Sequence, residues 1–193
     1  MESAKFITVV SGLPRAGTSL MMQMLSAGGI PPLTDHQRVA DESNPRGYFE
    51  FDAVKRLRSD QSWLEHARGH AVKIIHLLLR ELPTDRGFKY RVLFLRRPLA
   101  EVLASQRAML ERQGKAAADD SVLAKVFQSQ LNQAEQWLSS AQGFSYLDVD
   151  HGALFHDADP QLQSINEFLG GDLNVDAMGA VIDPALYRQR LGS

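Results

Sequence analysis

A glycine-containing loop near the start of the chain has the residue types and spacing to bind a phosphate or a similar anion. Residues 6–10 form a nearly continuous apolar run rich in β-branched side chains, which predicts a buried strand. Gly12 and Gly17 frame a short loop, and the apolar spacing of residues 18–27 predicts a helix. In such a strand–loop–helix unit, backbone N–H groups and the positive end of the helix dipole face the loop.

The spacing G-x-x-x-x-G-T-S, from Gly12 to Ser19, matches the P-loop pattern of nucleotide-binding proteins except at one position. Thr18 stands where that pattern has the lysine that contacts the β- and γ-phosphates of a triphosphate. The change argues against an ordinary ATPase or kinase. Arg15, inside the loop, can supply the missing positive charge.

The loop also resembles the 5′-phosphosulfate-binding loop of sulfotransferases that use 3′-phosphoadenylyl sulfate (PAPS), in which a strand leads into P-[KR]-[ST]-G-[ST]-[ST] and a helix. Ala16 departs from the family's hydroxyl residue at its position, so we expect it to offer its backbone N–H alone. The resemblance implies a cofactor-binding set that follows Pro14 in the sequence: Arg15, Ala16, Gly17, Thr18 and Ser19.

A second candidate anion site lies farther along the chain, where a strand predicted over residues 90–95 is followed by Arg96 and Arg97. A guanidinium suits a phosphate because its planar fork can donate two parallel hydrogen bonds. Sulfotransferases carry an arginine at a strand end and a serine eight residues later, and both contact the 3′-phosphate of PAPS. Arg97 and Ser105 have this spacing, and Arg96 is the alternative if the strand ends earlier. Two anion sites suit a nucleotide with phosphates at its 5′ and 3′ positions.

Sulfuryl transfer to a hydroxyl or amine requires a general base and positive charge near the leaving phosphate. The segment V-K-I-I-H-L resembles the K-x-H-[LP] segment of cytosolic sulfotransferases, which implies that Lys73 assists the leaving group and His76 is the base. Arg15 is the second catalytic cation. His76 follows Lys73 by three residues rather than two, so a bulge or a turn after Ile75 is needed to bring both into one site.

A polar segment ending in E-S-N-P-R-G-Y-F-E, residues 42–50, offers rival bases. It resembles the E-N-P-x-G-Y-[FW]-E segment of bacterial sulfotransferase-like proteins, which implies a loop that lines the acceptor site. Glu42 and Glu50 are therefore alternatives to His76. Arg188, near the C-terminus, is a further candidate contact to the cofactor.

Composition limits the other classes of function. A net charge of −2 favours neither nucleic acids nor anionic membranes as partners, and the absence of cysteine excludes disulfides and thiolate metal sites. We expect no metal, because no His, Asp and Glu cluster has convincing ligand spacing. No apolar stretch approaches the ~20 residues of a membrane helix, and the first strand begins too early for a signal peptide. We expect a cytoplasmic protein.

The remaining pattern predicts one α/β domain over residues 1–193, with a mainly parallel sheet of four or five strands flanked by helices. The resemblance implies that this domain is of the P-loop, sulfotransferase-like type. The resemblance implies a sulfotransferase that converts PAPS to 3′-phosphoadenosine 5′-phosphate (PAP), with a small-molecule or glycan acceptor. The alternatives are a small P-loop kinase and a non-catalytic nucleotide-binding module. The predicted strands are residues 6–10, 71–75, 90–95 and 144–149, and the predicted helices are residues 18–27, 51–67, 98–113, 121–140 and 160–169.

Overall fold

The sheet is parallel throughout and has the strand order β2-β1-β3-β4. The computed structural model describes residues 6–35, 37, 41, 44, 47–116 and 118–187. Each predicted strand is present, so the α/β class and the parallel sheet are confirmed. The strands are β1 (Ile7–Gly12), β2 (Ala71–Lys73), β3 (Tyr90–Arg96) and β4 (Phe144–Asp150).

Helices cover both faces of the sheet. Among the described residues, none of them is long and apolar enough to cross a lipid bilayer. The α-helices of this part of the chain are α1 (Thr18–Ala27), α2 (Leu99–Arg112), α3 (Asp120–Leu138), α4 (Ala153–His156), α5 (Ala158–Leu169) and α6 (Val175–Ala180). The 3-10 helices are Asp52–Arg56, Ser62–Glu65, His76–Glu81 and Pro184–Leu186.

The strands alternate between two hydrophobic cores. In β1, Val10 faces a core that includes α1, α5 and α6, whereas Ile7 and Val9 face a core that includes the 3-10 helices. In β3, Leu93 belongs to the first core and Phe94 to the second. Successive side chains of a strand point to opposite faces, so central strands covered on both sides must be apolar at nearly every position. This explains the apolar runs in the sequence.

The prediction of one continuous helix over residues 51–67 is wrong. The chain instead forms two short 3-10 helices, Asp52–Arg56 and Ser62–Glu65. Asp60 lies between them and accepts hydrogen bonds at Oδ1 from the Ser62 backbone N–H (3.0 Å) and hydroxyl (2.7 Å). Such a side-chain turn competes with helical hydrogen bonds, so the apolar residues of this segment reach the core without a continuous helix.

The helix predicted over residues 121–140 starts one residue earlier in the structure. The helix begins at Asp120, and Asp119 is its N-cap. The Asp119 carboxylate accepts hydrogen bonds from the backbone N–H groups of Ser121 (2.8 Å) and Val122 (3.2 Å). A carboxylate at this position also interacts favourably with the helix dipole.

Gly12, the last residue of β1, is required where the strand enters the loop. Its φ is +147°, and a Cβ placed on it would lie 2.9 Å from the Leu95 carbonyl oxygen of β3. We expect Gly12→Ala to lower the free energy of unfolding by about 2 kcal/mol or more, since it adds a steric clash to an unfavourable φ. Urea unfolding measures this loss. The matched control is Gly87→Ala, because Gly87 has a φ of +71° in open space. Equal losses in the two variants would contradict the steric explanation.

Candidate functional site

A cavity of about 420 Å³ lies at the carboxyl ends of the strands, where ligands bind in open parallel sheets. Each strand contributes to it: β1 leads into the glycine loop, β2 ends at Lys73, β3 is followed by Arg97, and β4 is followed by His151. Of the residues selected from the sequence, the cavity lining includes Arg15, Gly17, Thr18, Ser19, Lys73, Arg97 and Ser105. Two selected residues, Ala16 and His76, are buried outside that lining.

The loop has a backbone that reverses direction in a few residues. Arg15 and Gly17 have positive φ values of 69° and 98°. The N–H of Ala16, expected to be available to an anion, instead donates to the Leu13 carbonyl (3.2 Å). Helix α1 then begins at Thr18, and no described side chain caps it. The positive end of its dipole therefore lies at the cavity, as anion binding requires.

Lys73 lies beside the start of α1. Pairing of β2 with β1 in the register Val10↔Lys73 carries it there. Its Nζ donates to Ser19 Oγ (3.3 Å) and to the Tyr48 carbonyl oxygen (3.1 Å). Tyr48 is itself held by its hydroxyl, which donates to the Asp41 carboxylate at 2.7 Å and 2.8 Å. Lys73 thus brings positive charge to the first turn of α1, beside Ser19, in a chain whose loop has Thr18 instead of the P-loop lysine.

The two anion sites expected from the sequence contact each other. Arg15 Nε donates to Ser105 Oγ (3.1 Å), and Arg97 Nη1 donates to the Arg15 carbonyl oxygen (3.0 Å). The pKa of Arg15 lies below its ordinary value mainly because of burial, with Arg112 and Arg97 adding charge repulsion. Loop, strand end and helix α2 therefore form one positively charged wall.

Arg97, and not Arg96, faces the cavity. Arg97 Nε pairs with Glu101 Oε2 (2.9 Å), and the two side chains are 7% and 4% exposed. Arg96 turns to the other side of β3, where it pairs with Asp148 (2.8 Å) and Glu135 (2.7 Å). A one-residue step along an extended strand reverses the side-chain direction, which separates the roles of the two arginines.

Two residues that sequence reasoning missed hold Arg97 in place. The Tyr187 hydroxyl donates to the Glu101 carboxylate (2.9 Å to each oxygen), and the Arg97 guanidinium lies 5.5 Å from the centre of the Tyr187 ring. The Arg97–Glu101 spacing was a usable signal, because an acidic residue in the first turn of a predicted helix can pair with an arginine just before that helix. Nothing in the local sequence indicates the Tyr187 contact, since it comes from a distant segment.

His76 does not reach the cavity. Strand β2 ends at Lys73, and His76 opens a 3-10 helix with its ring 4% exposed. Its Nδ1 lies 3.1 Å from the Gly12 carbonyl oxygen and its Nε2 lies 2.9 Å from Gln130 Oε1. A carbonyl oxygen can only accept, so Nδ1–H donates to Gly12, and the side-chain amide of Gln130 pairs with Nε2. This arrangement makes His76 a support of the loop.

Of the rival bases, Glu50 lines the cavity. Its backbone is anchored because its carbonyl oxygen accepts hydrogen bonds from Thr34 Oγ1 (2.9 Å) and the Asp35 N–H (3.3 Å). Glu42 and Arg188 lie outside the described residues.

Comparison with solved structures identifies the fold. No protein-family model and no curated protein matches the sequence. The structure is similar to the sulfotransferase domain of the Synechococcus PCC 7002 olefin synthase, with a TM-score of 0.57 and 17% identity over 97% of this chain and 89% of that one. It is also similar to a sulfotransferase domain from the curacin biosynthetic pathway, with a TM-score of 0.56 and 14% identity over 97% of this chain and 92% of that one. The fold is sulfotransferase-like.

The cavity lining also includes a histidine, His151, that no recognisable sequence motif surrounds. His151 follows β4, lines the cavity, and is 5% exposed. Its Nδ1 is buried without a hydrogen-bond partner among the described residues. Burial, with a further contribution from Arg97, lowers the pKa of His151 to about 4. The ring is therefore neutral at physiological pH. No motif around His151 indicates a site residue, so its place in the cavity lining could be found only from the folded structure.

This buried neutral ring makes stability depend on pH. The pKa of His151 is about 4 in the folded chain against 6.5 for an unperturbed histidine, so between those values the unfolded state binds more protons. Stability due to His151 is therefore full near pH 7 and falls as the pH approaches 4. Between pH 7 and pH 4.5, we expect the free energy of unfolding of wild type, measured with urea, to fall by roughly 2 kcal/mol more than that of His151→Gln. His156→Gln, at an exposed histidine, is the control, and equal losses in wild type and His151→Gln would refute the assignment.

Proposed function

We propose that this chain is a sulfotransferase that transfers the sulfuryl group of PAPS to a hydroxyl or amine of an acceptor. The observation that carries the proposal is the joining of the two anion sites through Arg15, Ser105 and Arg97. One cavity then offers a helix N-terminus that no side chain in the described ranges caps, together with two neighbouring guanidinium groups. This combination suits a nucleotide with phosphates at the 5′ and 3′ positions of its ribose. Its volume, about 420 Å³, lies in the ordinary range of ligand sites.

The residues of the cavity have different roles in the sulfuryl transfer. When bound, PAPS supplies the sulfuryl group, whose bond to the phosphate oxygen breaks as a bond to the acceptor oxygen or nitrogen forms. Lys73 contacts Ser19 at the start of α1 and stabilises the negative charge that develops on the leaving phosphate held there. Arg15, in the loop that precedes α1, adds positive charge from the side of the cavity where its guanidinium contacts Ser105. The proton of the acceptor passes to a base.

We assign the base to Glu50 in place of His76. Glu50 lines the cavity, whereas His76 is buried outside that lining with both ring nitrogens within hydrogen-bond distance of protein oxygens. A base must lie within hydrogen-bond reach of the proton that it removes. The displacement of His76 also favours a non-catalytic nucleotide-binding module, and so does Ala16, whose N–H donates to the Leu13 carbonyl oxygen.

Binding of PAP tests the nucleotide assignment. We expect PAP to stabilise the protein against urea more than ADP or ATP does, by about 2.7 kcal/mol at a hundredfold excess over its Kd. Lys73→Ala weakens this stabilisation, and Lys55→Ala, at a side chain that is 71% exposed and not part of the cavity lining, leaves it unchanged. Replacing both members of the buried pair, Arg97→Gln with Glu101→Gln, removes the preference for PAP over ADP without leaving one charge unpaired. A wild type that prefers ATP would contradict the proposal and favour the kinase.

Turnover tests the base. With an acceptor found by screening hydroxyl and amine compounds, we expect Glu50→Gln to lower kcat about 100-fold or more while PAP affinity is retained, because the base acts on the acceptor. His76→Gln lowers the free energy of unfolding by about 1–3 kcal/mol through loss of its buried hydrogen bonds, but the folded fraction stays active. The reverse pattern, an active Glu50→Gln and an inactive folded His76→Gln, would return the base to His76. Sulfuryl transfer from labelled PAPS is the readout.

A further inference from the structure

His151 is built into the wall of the cavity by contacts on several sides. Its backbone N–H donates to the Arg96 carbonyl oxygen (2.8 Å), which extends the β3–β4 ladder by one residue. Its ring packs against Phe155, with centres 5.1 Å apart, and edge-on against Tyr187, with centres 5.0 Å apart. These contacts fix the ring where the end of β4 meets the cavity.

The ring edge that carries Nε2 faces the glycine loop. A Cβ built on Gly17 would lie 2.4 Å from His151 Cδ2 and 3.1 Å from Nε2. Gly17 is the residue immediately before helix α1, and it lines the same cavity. The imidazole therefore lies directly beside the position at which the loop and the helix N-terminus hold an anion.

The opposite side of the ring indicates which nitrogen carries the proton. Nδ1 is buried without a hydrogen-bond partner in the described part of the chain. A neutral imidazole has one N–H, and a buried N–H without an acceptor is costly. The proton is therefore better placed on Nε2, at the edge that faces the loop. The ring stays uncharged because it is buried and close to Arg97, and the charges of Glu101 and Asp150 act weakly in the other direction.

We propose that His151 is a further binding residue of the anion site, whose neutral ring donates a hydrogen bond from Nε2 to a phosphate or sulfate oxygen held at the Gly17–Ser19 turn. The inference rests on the proposed function for the identity of the nucleotide, although the anion contact itself does not require it. A neutral donor adds direction to the site without adding to the repulsion among Arg15, Arg97 and Arg112.

Substitutions that mimic one ring nitrogen at a time test this contact. The amide nitrogen of glutamine can occupy the place of Nε2, whereas that of asparagine reaches only the place of Nδ1. We expect His151→Gln to bind PAP and inorganic pyrophosphate within ~3-fold of wild type, and His151→Asn and His151→Phe to lose about 10-fold or more, as loss of one hydrogen bond to an anion predicts. His156→Asn, at an exposed histidine outside the cavity lining, is the control and keeps wild-type affinity.

Nitrogen-15 NMR of the histidine rings gives a second readout. We expect the Nε2–H tautomer of His151 in the free protein, and a change in its Nε2 resonance when PAP or pyrophosphate is added. An Nδ1–H tautomer, or equal affinities of His151→Phe and wild type for both ligands, would overturn the inference while leaving PAP binding and the proposed function intact. If pyrophosphate binds with the His151 dependence but PAP is not preferred over ADP, the contact stands and the proposed function fails. If neither ligand binds, both fail.

Discussion

The buried ion pair between Arg97 and Glu101 connects the glycine loop to the rest of the fold. Arg97 pairs with Glu101 through Nε and donates through Nη1 to the Arg15 carbonyl oxygen, and Glu101 accepts the Tyr187 hydroxyl. Burying two charges costs solvation energy, which only good geometry and further hydrogen bonds offset. Here the further bonds go to the loop and to the C-terminal segment. The pair therefore ties the position of the loop to the packing of α2 and of Tyr187.

His76 holds the other end of the same loop. Its Nδ1 lies 3.1 Å from the Gly12 carbonyl oxygen, so carbonyl groups at Gly12 and Arg15 both accept hydrogen bonds from buried side chains of other elements. Because a peptide group is planar, fixing its carbonyl also fixes the direction of its N–H. The loop is thus ordered before any ligand binds, which lowers the entropic cost of binding. Residues that local sequence presents as candidates for chemistry serve here as supports of the backbone.

The sequence predictions succeeded where neighbouring residues determine the structure. Two of the failures come instead from contacts between residues that are distant in the sequence. Strand β1, the glycine loop and α1 are encoded by neighbouring residues, through apolar runs and glycine positions, and were predicted. The segment over residues 51–67 was misread because the Asp60 turn outweighs its apolar spacing. The direction of His76 depends on Gln130, and the role of Glu101 on Tyr187, both distant in the sequence. Such contacts form only when the sheet brings separate segments together, so no local pattern contains them.

An incoming anion can displace some of the partners that the cations of the site contact. Contacts of Lys73 include the Ser19 hydroxyl and the Tyr48 carbonyl oxygen, and those of Arg15 include the Ser105 hydroxyl. A hydrogen bond to a neutral oxygen is weaker than one to an oxyanion, so phosphate oxygens can replace these partners with a gain in energy. One partner of Arg97, Glu101, is itself a buried carboxylate. Any phosphate contact made by Arg97 must use N–H groups other than those that hold Glu101 and the Arg15 carbonyl oxygen, so its contribution to binding is inseparable from its support of the loop.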